Sequence, residues 1–449
     1  MQADSFGADF FWGISSSAYQ TEGAFDADGK GPSIWDDFSS KPGRIFQNQH
    51  ARTACDFYHR YPQDIGLIRQ LGIPNFRFSL SWPRILPEGK GKVNQRGLDF
   101  YKRLIHHCLE NQITPWVTLY HWDLPLALSE QGGWTHRDIV SWFGEYVEVC
   151  ARELGDVVKH WMVLNEPLVF TGAGYFLGLH APGKKGLLNF APAVHHAALC
   201  QAEGGRILRD ICPNAEIGTT FSCAYIEPFR QLRRDIGAAK RADALLNRLF
   251  IEPALGLAYP SDDLPILRKL EPYIQPGDLE KLVFDFDFIG LQNYTREVIR
   301  HSWITPYLYA RPVSPLKRKV AVTEMKWEVY PEAIYRVLKQ FHNKYGLKKI
   351  IITENGAAFP DHPSAGAVKD PLRQKYLQDH IAQCLRAQQE GVPLQGYFVW
   401  TLTDNFEWAE GYHPRFGLVY VDFDSQERII KDSGKWYGKF VSERERISL

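Results

Sequence analysis

The sequence predicts an α/β fold, a single (β/α)8 barrel of the TIM type spanning residues 1–449, with extended loops where its strands end. Three observations carry this. Eight short apolar runs recur along the chain, amphipathic stretches of helical period separate them, and long Gly/Pro/Asp-rich segments follow the runs. The runs are FFWGISS (10–16), NFRFSLS (75–81), TPWVTLYH (114–121), HWMVLN (160–165), AEIGTTF (215–221), DFIGLQN (287–293), KIIITE (349–354) and LQGYFVW (394–400). Each has strand length and is rich in aromatic and β-branched residues. Between them, RGLDFYKRLIHHCLEN (96–111) and HRDIVSWFGEYVEVCAREL (136–154) place apolar residues every third or fourth position, the helical period. Strands alternating with helices imply parallel β/α units, and eight such units close into a barrel.

A chain of 449 residues is long for one domain, but barrels tolerate insertions. The surplus follows the first, fourth, sixth, seventh and eighth runs, as in GAFDADGKGPSIWDDF, HAPGKKG, RHSWITPYLYARPVSPLKRK, NGAAFPDHPSAGAVKD and DNFEWAEGYHPRFGLVYVDFDSQERIIKDSGKWY. These segments leave the C-terminal ends of strands, where barrel enzymes build their sites. No fixed-period repeat, low-complexity tract or interdomain linker interrupts the pattern.

Composition narrows the function. The formal net charge is +0, so the whole-molecule field favours neither nucleic acid nor a charged membrane as partner. The seven cysteines (Cys55, Cys108, Cys150, Cys200, Cys212, Cys223, Cys384) form no C-x-x-C pair and read as reduced, mostly buried thiols. The opening MQADSFGADFFWG lacks a basic region followed by a signal-length apolar run, and no apolar run reaches membrane-spanning length. A soluble, cytoplasmic protein is expected. The 13 Trp, 21 Tyr and 27 Phe are mostly core by default, but a tryptophan-rich cleft also suits the C–H faces of sugar rings.

Two buried runs finish on a glutamate. Trp161–Met162–Val163–Leu164 leads into Asn165, Glu166 and Pro167, and Ile350–Ile351–Ile352 into Thr353, Glu354 and Asn355. One such Glu is ordinarily a solvated residue or an ion-pair partner. Two of them on the same barrel face supply what glycoside hydrolysis requires. One carboxylate attacks or activates water and the other protonates the leaving oxygen, at about 5–5.5 Å for retention or about 6.5–9.5 Å for inversion.

These motifs carry a resemblance. LNEP and ITENG resemble the acid/base and nucleophile signatures of family 1 glycoside hydrolases, which include the β-glucosidases. FFWGISSSAYQTEGA, FRFSLSWPRILP, LYHWDLP, HAPG, WEVYPEAI and LTDNFEWAEGY follow in the family's order over essentially the whole chain. The resemblance implies that Glu354 is the nucleophile of a covalent glycosyl-enzyme and Glu166 the general acid, then base. It implies that Arg77 and Tyr294 support the nucleophile and that Asn165 binds the sugar 2-hydroxyl. Gln20, His121 and Glu407 are the implied hydroxyl-binding set, Trp400 and Trp408 the platform and wall of the sugar site, and Trp327 the leaving-group platform. Taken singly, each has an ordinary alternative: a structural ion pair for Arg77, a satisfied core hydroxyl for Tyr294, a surface Gln20, a structural His121 and packed tryptophans. No cofactor is expected, and no second histidine stands at ligand spacing to His121, so no catalytic metal is expected either.

Three positions depart from the family pattern. Gln292 stands where an Asn is usual, Lys326 where a Gly is usual, and Thr21 where an aliphatic residue is common. Lys326 with Arg311, Lys317, Arg318 and Lys319 reads as a solvated basic loop rather than a selectivity device. The expected activity is that of a retaining exo-β-glucosidase acting on terminal non-reducing β-D-glucosyl residues of aryl glucosides, cellobiose and short β-gluco-oligosaccharides. Some β-galactosidase and β-fucosidase activity and glycosyl transfer to acceptors are expected beside it. The rivals are a 6-phospho-β-glycosidase, disfavoured by Glu407 although Lys431 and Lys435 are near in sequence, and a catalytically silent sugar-binding protein, disfavoured because both glutamates are present.

Overall fold

A computed structural model describes residues 2–443. Eight parallel strands form a closed barrel: β1 (Phe11–Ser15), β2 (Asn75–Ser79), β3 (Thr114–Tyr120), β4 (His160–Asn165), β5 (Glu216–Ser222), β6 (Phe288–Gln292), β7 (Ile350–Asn355) and β8 (Leu394–Trp400). Each strand pairs with its sequence neighbours, and β1 closes on β8 with Ser15 beside Trp400. All eight lie within the predicted runs or extend one residue past them. Four of them stop a residue or two early, where the chain turns away from the ladder to line the open end.

The main helices are α1 (Phe57–Gln70), α2 (Gln95–Glu110), α3 (Ile139–Leu154), α4 (Leu187–Ile211), α5 (Arg233–Asp243), α6 (Glu332–Tyr345), α7 (Pro371–Gln389) and α8 (Asp432–Ser442). Helix α2 buries Leu98, Tyr101, Leu104, Ile105 and Cys108 on one face, as its period requires. Helix α3 begins three residues later than predicted, because Gly133–Thr135 forms a separate 3-10 turn ahead of it.

The barrel interior is packed in layers. Trp116, Met162, Phe288, Ile351 and Phe398 form an apolar floor with Phe11 against it. Small residues make room for the rings: a Cβ at Gly13 would lie 2.3 Å from the ring of Phe398. Below the floor, at the strand N-termini, His160 stacks on Trp116, and Glu216 is bonded to both His160 (3.0 Å) and Lys349 (2.6 Å). Above it the interior turns polar, beginning with Arg77, whose Nε lies 3.2 Å from the sulfur of Met162.

The loops at the open end contain more order than the sequence suggests. Tyr225–Pro228, Arg296–His301 and Ala310–Pro312 build a three-stranded sheet, so part of the segment read as a loop after the sixth run is strand. Its prolines and charges hid the pattern. Pro312 sits on an edge strand, where a missing N–H is tolerated. After β8 a short hairpin pairs Val419–Val421 with Arg428–Ile430. All seven cysteines are free and buried, as expected. Among the described residues no helix is long and apolar enough to cross a membrane.

Candidate active site

Glu354 lies within β7 and Arg77 within β2, both buried. Glu166 follows β4 directly and adopts φ 45°, ψ 64°, a left-handed conformation uncommon for a residue with a side chain. Pro167 begins the short helix Pro167–Thr171, and a following proline disfavours a right-handed helical conformation at Glu166. The Glu166 N–H is held by the carbonyl of Thr220 at 3.0 Å, so the turn is fixed against β5. Strain of this kind collects at functional sites.

The side chains form one connected network. Arg77 donates through Nη1 to Glu354 Oε1 (2.5 Å) and through Nη2 to Asn165 Oδ1 (2.5 Å). The Tyr294 hydroxyl donates to Glu354 Oε2 at 2.7 Å. Gln292 donates to Asn165 Oδ1 at 2.8 Å, so the longer side chain at this position keeps a bond to the site. Asn165 Nδ2 lies 3.1 Å from His121 Nε2, and only the ring nitrogen can accept there. Burial and then the charge of Arg77 push His121 well below its ordinary value, which fits a neutral ring with its proton on Nδ1. That Nδ1 is buried without a protein partner.

A cavity of about 670 Å³ opens above this network. His121, Glu166, Tyr294, Trp327, Glu354, Trp400, Glu407 and Trp408 line it, so eight of the predicted site residues meet in one space. Trp408 packs its ring on Trp122, centroids 4.5 Å apart, and Trp327 packs against Tyr294 at 5.2 Å. Arg77, Asn165 and Gln20 stand behind the lining. Gln20 accepts from Ser17 and donates to Asn405 Oδ1 (3.1 Å) and Glu407 Oε2 (3.4 Å), which couples it to the loop after β8.

Charge is unevenly distributed. Glu166, Glu354 and Glu407 face one buried cation, Arg77, which is bonded to Glu354. Burial raises Glu166 well above its ordinary range, and the charge of Glu354 adds to it. Burial also raises Glu354, but Arg77, Tyr294 and Gln292 oppose it with charge and donated bonds. In the pair, the proton belongs on Glu166. Burial and the Glu354 charge push Glu407 up to about 8. The arrangement can hold one carboxyl protonated and another ionised within the same cavity. Among the described residues no group of three or more His, Cys, Asp and Glu side chains could hold a metal ion.

Sequence reading missed several lining residues. Ser222, at the end of β5, bonds to Glu166, and Trp122, His180 and Glu297 also face the cavity. Ser222 lies one residue past the run that ended at Phe221, so reading one residue beyond each run would have found it. The basic loop proves structural in part, because Arg318 is bonded to Glu328 at 2.6 Å while Lys326 is exposed. Lys431 is fully buried between Asp361 (2.5 Å) and Asp404 (2.6 Å), and Lys435 pairs with Asp432. Neither lysine lines the cavity, and Glu407 does, so the lining offers no cation for a sugar phosphate.

The family model for glycosyl hydrolase family 1 matches residues 2–446. The chain belongs to glycosyl hydrolase family 1. It is therefore a glycosidase, as the ordered motifs imply. It is 46% identical over 434 residues to a 1,4-beta-D-glucan glucohydrolase of Thermotoga neapolitana, covering 96% of this chain and 97% of that one. It is 44% identical over 444 residues to beta-glucosidase A of Acetivibrio thermocellus, covering 98% and 99%. Among solved structures, the beta-glucosidase of Thermotoga maritima in complex with deoxynojirimycin superposes with a TM-score of 0.94 at 44% identity, covering 97% of this chain and 98% of that one.

Proposed function

We propose that the protein is a retaining exo-β-glucosidase, and the placement of Arg77 carries the reading. A double displacement needs one ionised and one protonated carboxyl. The site has one buried cation among three carboxyls, and that cation is bonded to Glu354. In this reading Glu354 attacks the anomeric carbon and forms a covalent glycosyl-enzyme. Glu166 donates its proton to the departing oxygen, and the aglycone leaves as an alcohol. Once Glu354 is esterified its charge is gone, so the field that held the proton on Glu166 weakens. Glu166 then accepts a proton from water as the water attacks, and Glu354 is released as carboxylate. Asn165 keeps one amide hydrogen after its contact with His121 and serves the 2-hydroxyl, where contacts strengthen in the transition state.

The relatives named beta-glucosidase and glucan glucohydrolase support glucose as the sugar removed. His121 Nδ1 and Glu407 hold its remaining hydroxyls, with Gln20 steadying Glu407, and Trp400 and Trp408 form the platform and wall for the ring. Aryl β-glucosides, cellobiose and short β-gluco-oligosaccharides are the substrates, with some turnover of galactosides and fucosides. Any acceptor that replaces water at the covalent intermediate gives a transfer product. The deciding experiment is proton NMR of a fresh digest of an aryl β-glucoside. β-Glucose appearing before mutarotation is expected. α-Glucose first would mean inversion, and Glu354 would then not be a nucleophile.

A further inference from the structure

The cavity is far from uniform. Its sugar end is polar and built on strands. Another part of its lining is an apolar lobe of Phe176, Leu245, Leu246, Ile266, Leu267 and Leu308. Apart from the sugar-site residues, the polar side chains in the lining are His180, Ser222, Thr295, Glu297, Tyr307 and Glu410, against a larger number of apolar ones. Two segments with the wide π-helical turn, Gly172–Leu177 and Ala244–Arg248, both border the cavity, contributing Phe176 from one and Leu245 and Leu246 from the other. Such turns are rare and gather at functional sites. Nearby, at the open end, Leu177, Trp303, Ile304 and Tyr307 are exposed.

We propose that this lobe is an aglycone site for lipophilic alcohols, so that the enzyme prefers β-glucosides of long aliphatic or arylalkyl alcohols over β-gluco-oligosaccharides. The inference rests on the β-glucosidase reading and specifies its leaving-group side. A second glucose would bring several hydroxyls against leucine, isoleucine and phenylalanine side chains with few partners, and unpaired polar groups are penalised on burial. An alkyl chain loses nothing there and gains from each methylene removed from water. The lobe adjoins Glu166, the residue that protonates the leaving oxygen. Gly172–Leu177 follows the Glu166 turn by way of Pro167–Thr171, and Ser222, bonded to Glu166, lines the same cavity as Leu245 and Leu246, so an aglycone attached to that oxygen has this wall beside it. Lys326 is exposed and outside the lining, so it does not alter this preference.

The test is kcat/KM for ethyl, butyl, hexyl and octyl β-glucosides below their micelle concentrations, with cellobiose alongside. The basicity of the departing alkoxide is nearly constant along that series, so chain length reports contact rather than leaving ability. A rise of roughly two- to fourfold per added methylene is expected, the upper figure being full burial, with octyl glucoside well ahead of cellobiose. In the paired variant Leu246→Asn/Ile266→Asn, both positions half-buried, the ratio of octyl to ethyl glucoside kcat/KM should shrink, and an undiminished ratio in the folded variant overturns the lobe as the aglycone site. Leu188→Asn, exposed and outside the lining, should leave the slope unchanged. A flat series in the wild type, or cellobiose equal to octyl glucoside, overturns the lipophilic site and leaves the glucosidase reading standing. No cleavage of any β-glucoside overturns the glucosidase reading itself.

Discussion

The two ends of the barrel hold the same side chain in opposite states. At the strand N-termini Glu216 meets His160 and Lys349, and the His160 bond, with the charge and bond of Lys349, overcomes partial burial and holds it down to about 2. At the C-termini, Glu166, Glu354 and Glu407 share Arg77, and burial raises all three. Protonation here follows the ratio of cations to carboxyls and the depth of burial, not the residue type. At the N-terminal end, a carboxylate bonded to Lys349 and His160 ties strands together. The end with surplus carboxyls retains a proton to transfer. A barrel separates these tasks because its C-terminal loops can enclose a cavity while its floor stays packed.

The sharpest way to break the comparison is to remove the ionised carboxyl. Glu354→Ala should lower kcat on aryl β-glucosides by on the order of 10⁴–10⁶-fold, the scale seen when a nucleophile is deleted. Added azide should restore turnover by entering the vacated face, giving the α-glucosyl azide. Unchanged hydrolysis in Glu354→Ala would place the nucleophile elsewhere.

Glu166→Gln should cost roughly 10²–10⁴-fold on alkyl glucosides and cellobiose, where the departing oxygen needs a proton. Dinitrophenyl glucoside, whose leaving group needs none, should lose little in the glycosylation step. Glu166 must be protonated to act, so wild-type kcat/KM on alkyl glucosides should fall as pH rises through its elevated value. In Glu166→Gln that alkaline limb should vanish. Equal losses on both substrate types would remove Glu166 from the acid role.

Glu407 tests the same end through stability. In the unfolded chain it ionises in the ordinary carboxylate range, while in the folded protein it holds its proton up to about 8. The folded state therefore binds more protons across that window, and stability falls as pH rises through it. Glu407→Gln should weaken glucoside binding and also flatten the decline in Tm between about pH 5 and pH 8. An unaltered decline would mean that Glu407 does not carry that proton.

Much of this was readable in the chain, for physical reasons. Strands such as HWMVLN and KIIITE are buried on both faces, so they appear as unbroken apolar runs, and a glutamate ending such a run is conspicuous. The ordered motifs supplied the partners. Arg77 alone reads as any buried ion pair until the barrel closes and brings its side chain on β2 to Glu354 on β7 across the interior. The strand Arg296–His301 was hidden because its mixed polar residues sit on a small surface sheet. The lobe was least legible. Its leucines come from segments far apart in sequence, and a leucine facing a cavity has the same signature as one in the core.

The smallest effect belongs to the other end. Glu216→Gln should leave kcat and KM on aryl glucosides unchanged, because Glu216 lies below the packed floor of Trp116, Met162, Phe288, Ile351 and Phe398. Its side chain is 37% exposed, so solvent screens the pair with Lys349 and the loss near neutral pH should be at most about 1 kcal/mol, or about 2 °C in Tm. The sign separates it from Glu407. A carboxylate held down to about 2 contributes stability above its ordinary range and loses it as pH falls toward 2. The Tm difference between wild type and Glu216→Gln should thus be present at neutral pH and shrink on acidification, whereas the Glu407→Gln difference should grow as pH rises. If Glu216→Gln instead slowed catalysis, the floor would be transmitting charge or displacement between the two ends, and the division of labour within the barrel would not hold.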